Sequence, residues 1–428
     1  MPNNWKTYSV EELINDEIIY KPLDGNHGGT HPKGSDFIKS GIPFIMATDI
    51  VNGKVDITNC KFISKEQADK LRKGFAKSGD ILITHKASIG RTAVVPEIES
   101  EYIILTPQVT YYRVRDRKKL DINYLKQYFN SPFFQNEINT RAGSGSTRAY
   151  IGITDQLKLT VSFPSIEEQQ AIASILSDIE DKIENNLAIN KTLEEMAMEL
   201  YKHWFVDFGP FQEGEFVESE LGMIPKGWEV KRVKDFGDVI TGKTPEKKYP
   251  EHFGNVIPFI TPTDFKDYGK HIVSANRYIS ELGIKKLNKN ILPINTVIVT
   301  CIGSDMGKVA LSKIDSLTNQ QINSLKTNHY LYMYCFFVNN YPLLKRMAGD
   351  GTTIPIINKS SFENIEVIYP SMILLKDFEK LINDYDEQIL SNTLENQTLT
   401  QLRDTLLPQL ISGEVRLKEF REKVEEEV

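Results

Sequence analysis

Residues Gly41 to Ile50 read GIPFIMATDI, and Val256 to Phe265 read VIPFITPTDF, the same phrase displaced by 215 positions. Other phrases return in the same order. CKFIS from Cys60 comes back as NRYIS from Asn276 and GDILIT from Gly79 as NTVIVT from Asn295, each displaced by 216. VSFPS from Val161 comes back as VIYPS from Val367, displaced by 206, and NWKTYSVEEL, with Trp5, resembles GWEVKRVKDF, with Trp228. Matches kept in order, with displacements that drift as loops lengthen or shorten, mark a tandem duplication of about two hundred residues. At 428 residues the chain also exceeds the size one core usually organises, so two or more domains are expected.

Each half has two parts of different character. Residues 1–162 and 226–368 carry short β-like runs such as DILIT, TAVV and TVIVT, bounded by Gly, Pro, Asn and Asp with helical patches between, and read as mixed α/β globules. Residues 165–207 and 371–412 have helical periodicity and few breakers. The resulting domain scheme is a globule over 1–162, a helical region over 163–208, a connector over 209–225, a second globule over 226–368, a second helical region over 369–412 and an acidic tail over 413–428. At 1.5 Å per residue a helix of about forty residues spans roughly 60 Å, and two such helices in one chain most simply pair with each other.

A heptad frame puts Ile172, Ile179, Asn186, Leu193 and Leu200 at a, with Ile175, Lys182, Ile189, Met196 and His203 at d. In the second helix Phe378, Tyr385, Asn392, Leu399 and Leu406 fall at a, and Leu381, Gln388, Glu395, Leu402 and Gln409 at d. Leu176, Ile183, Trp204, Ile382, Ile389 and Leu410 widen the stripe. Asn186 and Asn392 hold the same central position, so in an antiparallel pair related by a two-fold axis they are expected to meet and fix the register. The competing reading is that each helix only covers its own globule.

The net charge of -7 conceals a division. Residues 1–162 hold 22 Lys and Arg against 18 acids, net +4; residues 226–368 hold 19 against 13, net +6; the remainder holds 10 against 27, net -17. Two basic globules joined by acidic helices suit binding to a phosphate backbone, although solvated helix faces account for much of the acidity. With no basic-then-apolar leader and no apolar run near eighteen residues, a cytoplasmic protein without a membrane partner is expected. Cys60, Cys301 and Cys335 form no CxxC pair and suggest neither a disulfide framework nor a structural zinc site.

RAGSGSTRAYIG (Arg141–Gly152) and RMAGDGTTIPIIN (Arg346–Asn358) are another repeated phrase. Each is either a loop that meets DNA or the corner before a long helix. Polar residues suited to phosphate and base-edge contacts are Lys86, Ser88, Arg91, Gln108, Arg141, Ser144, Ser146, Thr147 and Arg148 in the first globule, and Ser304, Lys308, Gln320, Arg346, Thr352 and Thr353 in the second. Gln108 in LTPQ is matched with Gln320 in LTNQ. Gly237 to Thr244 fits the G-x4-G-K-[ST] phosphate loop and raises a nucleotide-binding enzyme as an alternative. Pro245 and Pro250 crowd the helix that such a loop needs, and a turn before a strand is the simpler reading. His27 and His31 lack further ligands at usable spacing and read as a polar turn. No nucleophilic triad, glycine-rich cofactor fingerprint or Pro-rich tetrapeptide of an amino-methyltransferase is visible, so no catalytic residue is assigned.

The chain resembles the specificity subunit of type I restriction-modification systems over essentially its whole length. The resemblance rests on FPSIEEQQAIASIL (Phe163–Leu176), LYKHWFVDF (Leu200–Phe208), GMIPKGWEVKRVKDF with GKTP after it (Gly222–Pro245) and LLPQLISGEVRL (Leu406–Leu417). The second helical region departs from the pattern: it begins YPSMILLKDF and lacks the Glu-Gln of the first. The resemblance implies two similar mixed α/β target-recognition domains separated by two long antiparallel coiled-coil helices with pseudo-two-fold symmetry. It implies a non-catalytic subunit in which each domain reads half of a bipartite, asymmetric double-stranded DNA site and the helices set the spacer. Two methyltransferase subunits would dock on it, and restriction/translocase subunits would join them. S-adenosylmethionine, ATP and Mg2+ would reside on those partners, with no cofactor on this chain. A free-standing DNA-binding protein is the other alternative.

Overall fold

The repeated apolar phrases become strands in the computed structural model, which describes residues 5–28, 31–143, 149–303, 305–347 and 356–415. The chain divides into two compact units, residues up to Lys182 together with those from Leu399 onward, and Ile183–Thr398.

In the first unit, Ile42–Ile45 pairs in parallel with Ile103–Leu105 and antiparallel with Lys61–Ile63, and Phe75–Ala76 completes a four-stranded sheet. A six-stranded sheet runs in the order Leu23–Asp24, Val109–Tyr112, Ile81–Thr84, Thr92–Val94, Lys54–Val55, Ile50–Val51. Ile81–Thr84 is buried along its whole length, which is why it reads as an unbroken apolar run instead of an alternating one.

In the second unit the phrase at Val256 supplies Ile257–Ile260, parallel to Leu317–Thr318 and antiparallel to Tyr278–Ile279. The five-stranded sheet runs Gly237–Thr241, Ile322–Thr327, Thr296–Thr300, Val309–Ser312, His271–Ile272. Gly237–Thr241 is therefore itself a strand, where the sequence suggested a turn before one. Alternation governs it: Val239 is buried between the exposed Asp238 and the half-buried Ile240.

Both globules close at their base in the same way. Lys6–Ser9 pairs antiparallel with Thr160–Phe163, and Glu229–Arg232 with Glu366–Tyr369, so the strand that opens each globule lies beside the strand that ends it. Each closing strand runs into Pro and Ser. The proline ends the strand, and the Ser165 and Ser371 hydroxyls accept the amides of Glu168 at 3.4 Å and Leu374 at 3.3 Å as helix caps. The helices that follow are Ile166–Phe205, 40 residues, and Met372–Ser412, 41 residues.

Within the second unit the two helices run antiparallel, since Asn186 meets Asn396, Asn190 meets Asn392, and Tyr201 and Phe205 pack on Phe378. The buried stripe passes through the expected a positions and residues four further on. The d positions Ile189, Met196, Leu381 and Leu402 are 42–50% exposed, so the seam is shifted from the expected frame. Asn186 and Asn392 are 1% and 4% exposed but do not bond each other. Asn186 Nδ2 donates to Glu395 Oε2 at 2.7 Å and Asn396 Oδ1 at 2.9 Å, and Asn392 Nδ2 donates to Asn190 Oδ1 at 2.8 Å. The bonded pairs are exchanged by the displacement of 206 that aligns the halves, 186 with 392 and 190 with 396. Equivalent residues therefore face partners one turn along, not each other.

Each globule is bracketed to helix residues of its own unit. In the first, Gln169 accepts the Asp121 amide at 2.9 Å and donates to the carbonyls of Lys119 at 2.9 Å and Pro164 at 3.0 Å, while Glu180 takes Lys126 at 2.7 Å. The position equivalent to Gln169 in the second helix is Leu375, buried in an apolar cluster with Tyr201, Phe205, Tyr332 and Phe378. There the polar bracket lies further along, with Glu379 on His329 at 2.9 Å and Asp386 on His271 at 2.7 Å. The missing Glu-Gln is thus replaced by apolar packing and a displaced ionic contact.

Two outcomes follow for stability. Asn392→Leu strips Asn190 and Gln388 of a bonded partner inside the seam. It is expected to lower the second unit's stability by about 1–3 kcal/mol in urea unfolding, while Asn190→Leu/Asn392→Leu recovers most of the loss because Asn190 leaves with its partner and the exposed Gln388 bonds water. The second outcome concerns acid. Burial pushes the pKa of His85 and of His271 below the ordinary imidazole value, against upward pulls from the Ile151 carbonyl and Asp386. Each ring stays neutral in the fold at a pH where the unfolded chain is already protonated, so stability falls as pH drops below about 6.5. Amide-exchange protection of the central strands Ile81–Thr84 and Thr296–Thr300, taken relative to the intrinsic exchange rate at each pH, reads the units separately and is expected to fall as pH drops below about 6.5. His271→Gln should flatten that slope in the second unit alone.

Candidate nucleic-acid interface

The same loop is built in both units at the end of the central strand. In the first unit Thr84 Oγ1 accepts the amide of Arg91 at 3.0 Å and donates to the carbonyl of Ser88. In the second, Thr300 Oγ1 accepts the amide of Lys308 at 2.9 Å and donates to the carbonyl of Asp305 at 2.6 Å. A single hydroxyl closes each loop across its neck. Gly90 at φ 87° and Gly307 at φ 88° make the turn that brings the chain back, and a Cβ there would meet Gln135 Oε1 at 2.2 Å or the Tyr341 ring at 2.8 Å. The device leaves Lys86, Ser88 and Arg91 exposed on the first loop. On the second, Lys308 is half-buried and its ammonium contacts Asp305 at 2.7 Å.

Two neighbouring segments lie against each loop. Lys86 bridges to Tyr150, the Ala87 amide donates to Ala149 O at 3.2 Å and the Ile151 amide to His85 O at 3.1 Å. Ile302 bridges to Ile356, and the Ile357 amide donates to Cys301 O at 2.9 Å. The far end of each repeated phrase, Arg141–Gly152 and Arg346–Asn358, therefore abuts the clamped loop. On the other side, the His85 amide donates to Gln108 O at 2.9 Å and the Cys301 amide to Gln321 O at 2.7 Å. Backbone bonding thus pairs Gln108 with Gln321, one residue beyond the Gln320 that LTPQ and LTNQ align. Gln320 is exposed and its Oε1 accepts from Thr244 Oγ1 at 2.6 Å.

Of the remaining candidates, Arg141 is exposed in the last turn of the helix Pro132–Arg141. Its guanidinium bonds Glu137 at 3.1 Å, and the other oxygen of Glu137 accepts from the amide and hydroxyl of Thr160 in the strand before the long helix. Arg141 thereby braces the corner. Arg346 is exposed in the last turn of the helix Tyr341–Met347. Ser144, Ser146, Thr147, Arg148, Ser304, Thr352 and Thr353 lie outside the described residues.

The fold brings four further residues, which no motif marks, to these edges. His85 is buried beneath Tyr150, ring centroids 5.5 Å apart, with Nδ1 donating to Ile151 O at 3.0 Å. Their counterparts are Cys301 and Ile356, so the two edges differ in size and polarity where they are otherwise built alike. Aromatic and sulfur side chains inside a loop carry no spacing signal, which is why no motif flagged them.

The phosphate-loop alternative fails on geometry. The amides of Gly242 and Lys243 donate to Ile322 O at 3.1 Å and Thr318 O at 2.8 Å, and Gly242 packs so tightly that a Cβ would lie 2.1 Å from Asn319 O. No helix starts at Lys243, so neither loop amides nor a helix dipole converge on a phosphate. His27, also weighed as a ligand, contacts Asp24 at 2.8 Å in a turn that also holds Lys73.

The family model for the type I restriction modification DNA specificity domain matches residues 2–195 and again 225–402. Among curated proteins, the type I restriction enzyme HindI specificity subunit of Haemophilus influenzae is 27% identical over 96% of this chain and 100% of its own length. The MjaIX specificity subunit of Methanocaldococcus jannaschii is 29% identical over 98% and 95%. The crystal structure of a type I restriction-modification system S subunit from M. genitalium shares the fold, with a TM-score of 0.59 at 17% identity over 96% of this chain and 97% of that one. Matched along both of its halves, the chain belongs to the family of type I restriction modification DNA specificity domains.

Proposed function

We propose that this chain is the DNA specificity subunit of a type I restriction-modification assembly, with each clamped loop and its flanking segments reading one half of a two-part site. The observation that carries the reading is the loop closed by Thr84 in one unit and Thr300 in the other, presented by a basic globule each time in a chain of this family. The two edges are alike in frame and unlike in side chains, which suits two different half-sites. We read the units as copies of one ancestral unit, and the helices as an antiparallel coiled coil whose asparagine layer fixes the distance between the readers. Phosphate contacts from Lys86, Arg91 and Lys308 would supply affinity, and Gln108, Gln320, Gln321 and Tyr150 would face base edges.

Catalysis is left to partners. Two methyltransferase subunits would dock along the helices, where Leu187, Ile189, Met196, Leu381 and Leu394 of the second unit stand exposed. They would bring S-adenosylmethionine and flip the target adenine, and restriction subunits would bring ATP and Mg2+. Long-read mapping of modified adenine in cells with the gene intact and deleted tests the reading. Deletion is expected to erase one split motif of two short halves around a fixed spacer; an unchanged methylome would overturn it. Gln321→Ala is expected to relax one half of that motif and leave the other intact, whereas Lys86→Ala should weaken methylation by a similar factor at every site sequence.

A further inference from the structure

One buried charge cluster in the second unit has no counterpart of equal burial among the described residues of the first. Asp386, on the second long helix, is 2% exposed, and its Oδ1 lies 2.9 Å from Lys270 Nζ and 2.7 Å from His271 Nε2. Its Oδ2 lies 2.7 Å from Lys313 Nζ. The three bases have side chains 3%, 0% and 8% exposed. Lys270 immediately precedes the edge strand His271–Ile272 of the five-stranded sheet, His271 begins it, and Lys313 follows the neighbouring strand, joined through Leu311 N to Lys270 O at 2.8 Å and Lys313 N to Ile272 O at 3.0 Å. All three donors therefore come from one rigid sheet edge and converge on one carboxylate of the helix. Tyr334 and Tyr330 lie under the two ammonium groups at 4.9 and 5.1 Å, and Asn295 Oδ1 accepts from Lys313 at 2.9 Å. Burial works to raise the pKa of Asp386, but the bond from His271 and the charges of Lys270 and Lys313 hold it below the ordinary carboxylate value.

The globule also rests on the helices through Tyr201, Phe205, Tyr332 and Phe378. That apolar contact is strong but non-directional, and tolerates a rotation that keeps its area buried. Three hydrogen-bonded bases on one carboxylate do not, because a turn of the globule would leave buried cations without their anion. The equivalent position in the first helix, Glu180, holds only a half-buried contact with Lys126.

We propose that Asp386 is a positioning residue that fixes the rotation of the second globule about the helices and so, on the function proposed above, sets which DNA spacer length is accepted. The test uses the full chain assembled with its methyltransferase partner and a pool of DNAs carrying both half-sites at every spacer around the native one. Methylation at each spacer is read by sequencing. Asp386→Asn keeps the size and is expected to lower the preference for the native spacer over its neighbours one base pair longer or shorter by about tenfold, with both half-site sequences unchanged. Lys313→Met, which leaves Lys270 and His271 on the carboxylate, is expected to move the profile the same way to a smaller extent, and serves if the first variant fails to fold. Methylation lowered by one common factor at all spacers would overturn the proposal and leave Asp386 a purely structural residue. A wild-type assembly that modifies no two-part site would instead overturn the proposed function, and this inference with it.

Discussion

Four residue pairs at the base of each globule carry the rest of the structure. Lys6–Ser9 against Thr160–Phe163, and Glu229–Arg232 against Glu366–Tyr369, return the chain to where it started before it commits to a long helix. Without that ladder neither globule has a defined exit, and the Pro-Ser step after it would cap a helix of arbitrary direction. With it, the start of the helix that follows is set by a few main-chain hydrogen bonds and one serine hydroxyl. The buried Trp5 and Trp228 lie at the start of these ladders, which explains why the two openings resemble one another despite few shared letters.

Much of this was legible in the sequence, because repetition and apolar runs survive divergence. The phrases GIPFI, DILIT and TVIVT all fell on buried strands, and both long helices began within a residue or two of where periodicity placed them. What stayed hidden depended on register. A single inserted residue separates the Gln108 that bonds beneath His85 from the Gln320 that its letters align with, and only the hydrogen bond at Gln321 O reveals the slip. The asparagine layer differs from the expected Asn186–Asn392 pair for a similar reason. Helical spacing identified Asn186 and Asn392 as equivalent and central, but the stagger of two antiparallel helices decides which residues face each other. Asn190 and Asn396, also equivalent, held the missing half of that answer.

Of the candidate interface, the sequence marks residue types and not their arrangement. Lys86, Ser88 and Arg91 do share one loop, yet Arg141, chosen for the same charge and the same small-residue surroundings, is drawn to Glu137 and the base of the globule. Charge alone does not say which exposed basic residue is also tied by an ion pair to the corner before the helix. The residues that make the two edges different, His85 under Tyr150 and Cys301 beside Ile356, follow no pattern and emerge only once the loops are seen side by side.

The threonine clamp has a consequence for how such a protein changes. Its bonds join one hydroxyl to a main-chain amide and a main-chain carbonyl, and the turn is made by a glycine. None of these parts involves the side chains that the loop displays. Shape and spelling are therefore separable: letters at positions 86 to 89 can be exchanged while the frame that presents them keeps its path. A chain built this way can acquire a new vocabulary without relearning how to fold.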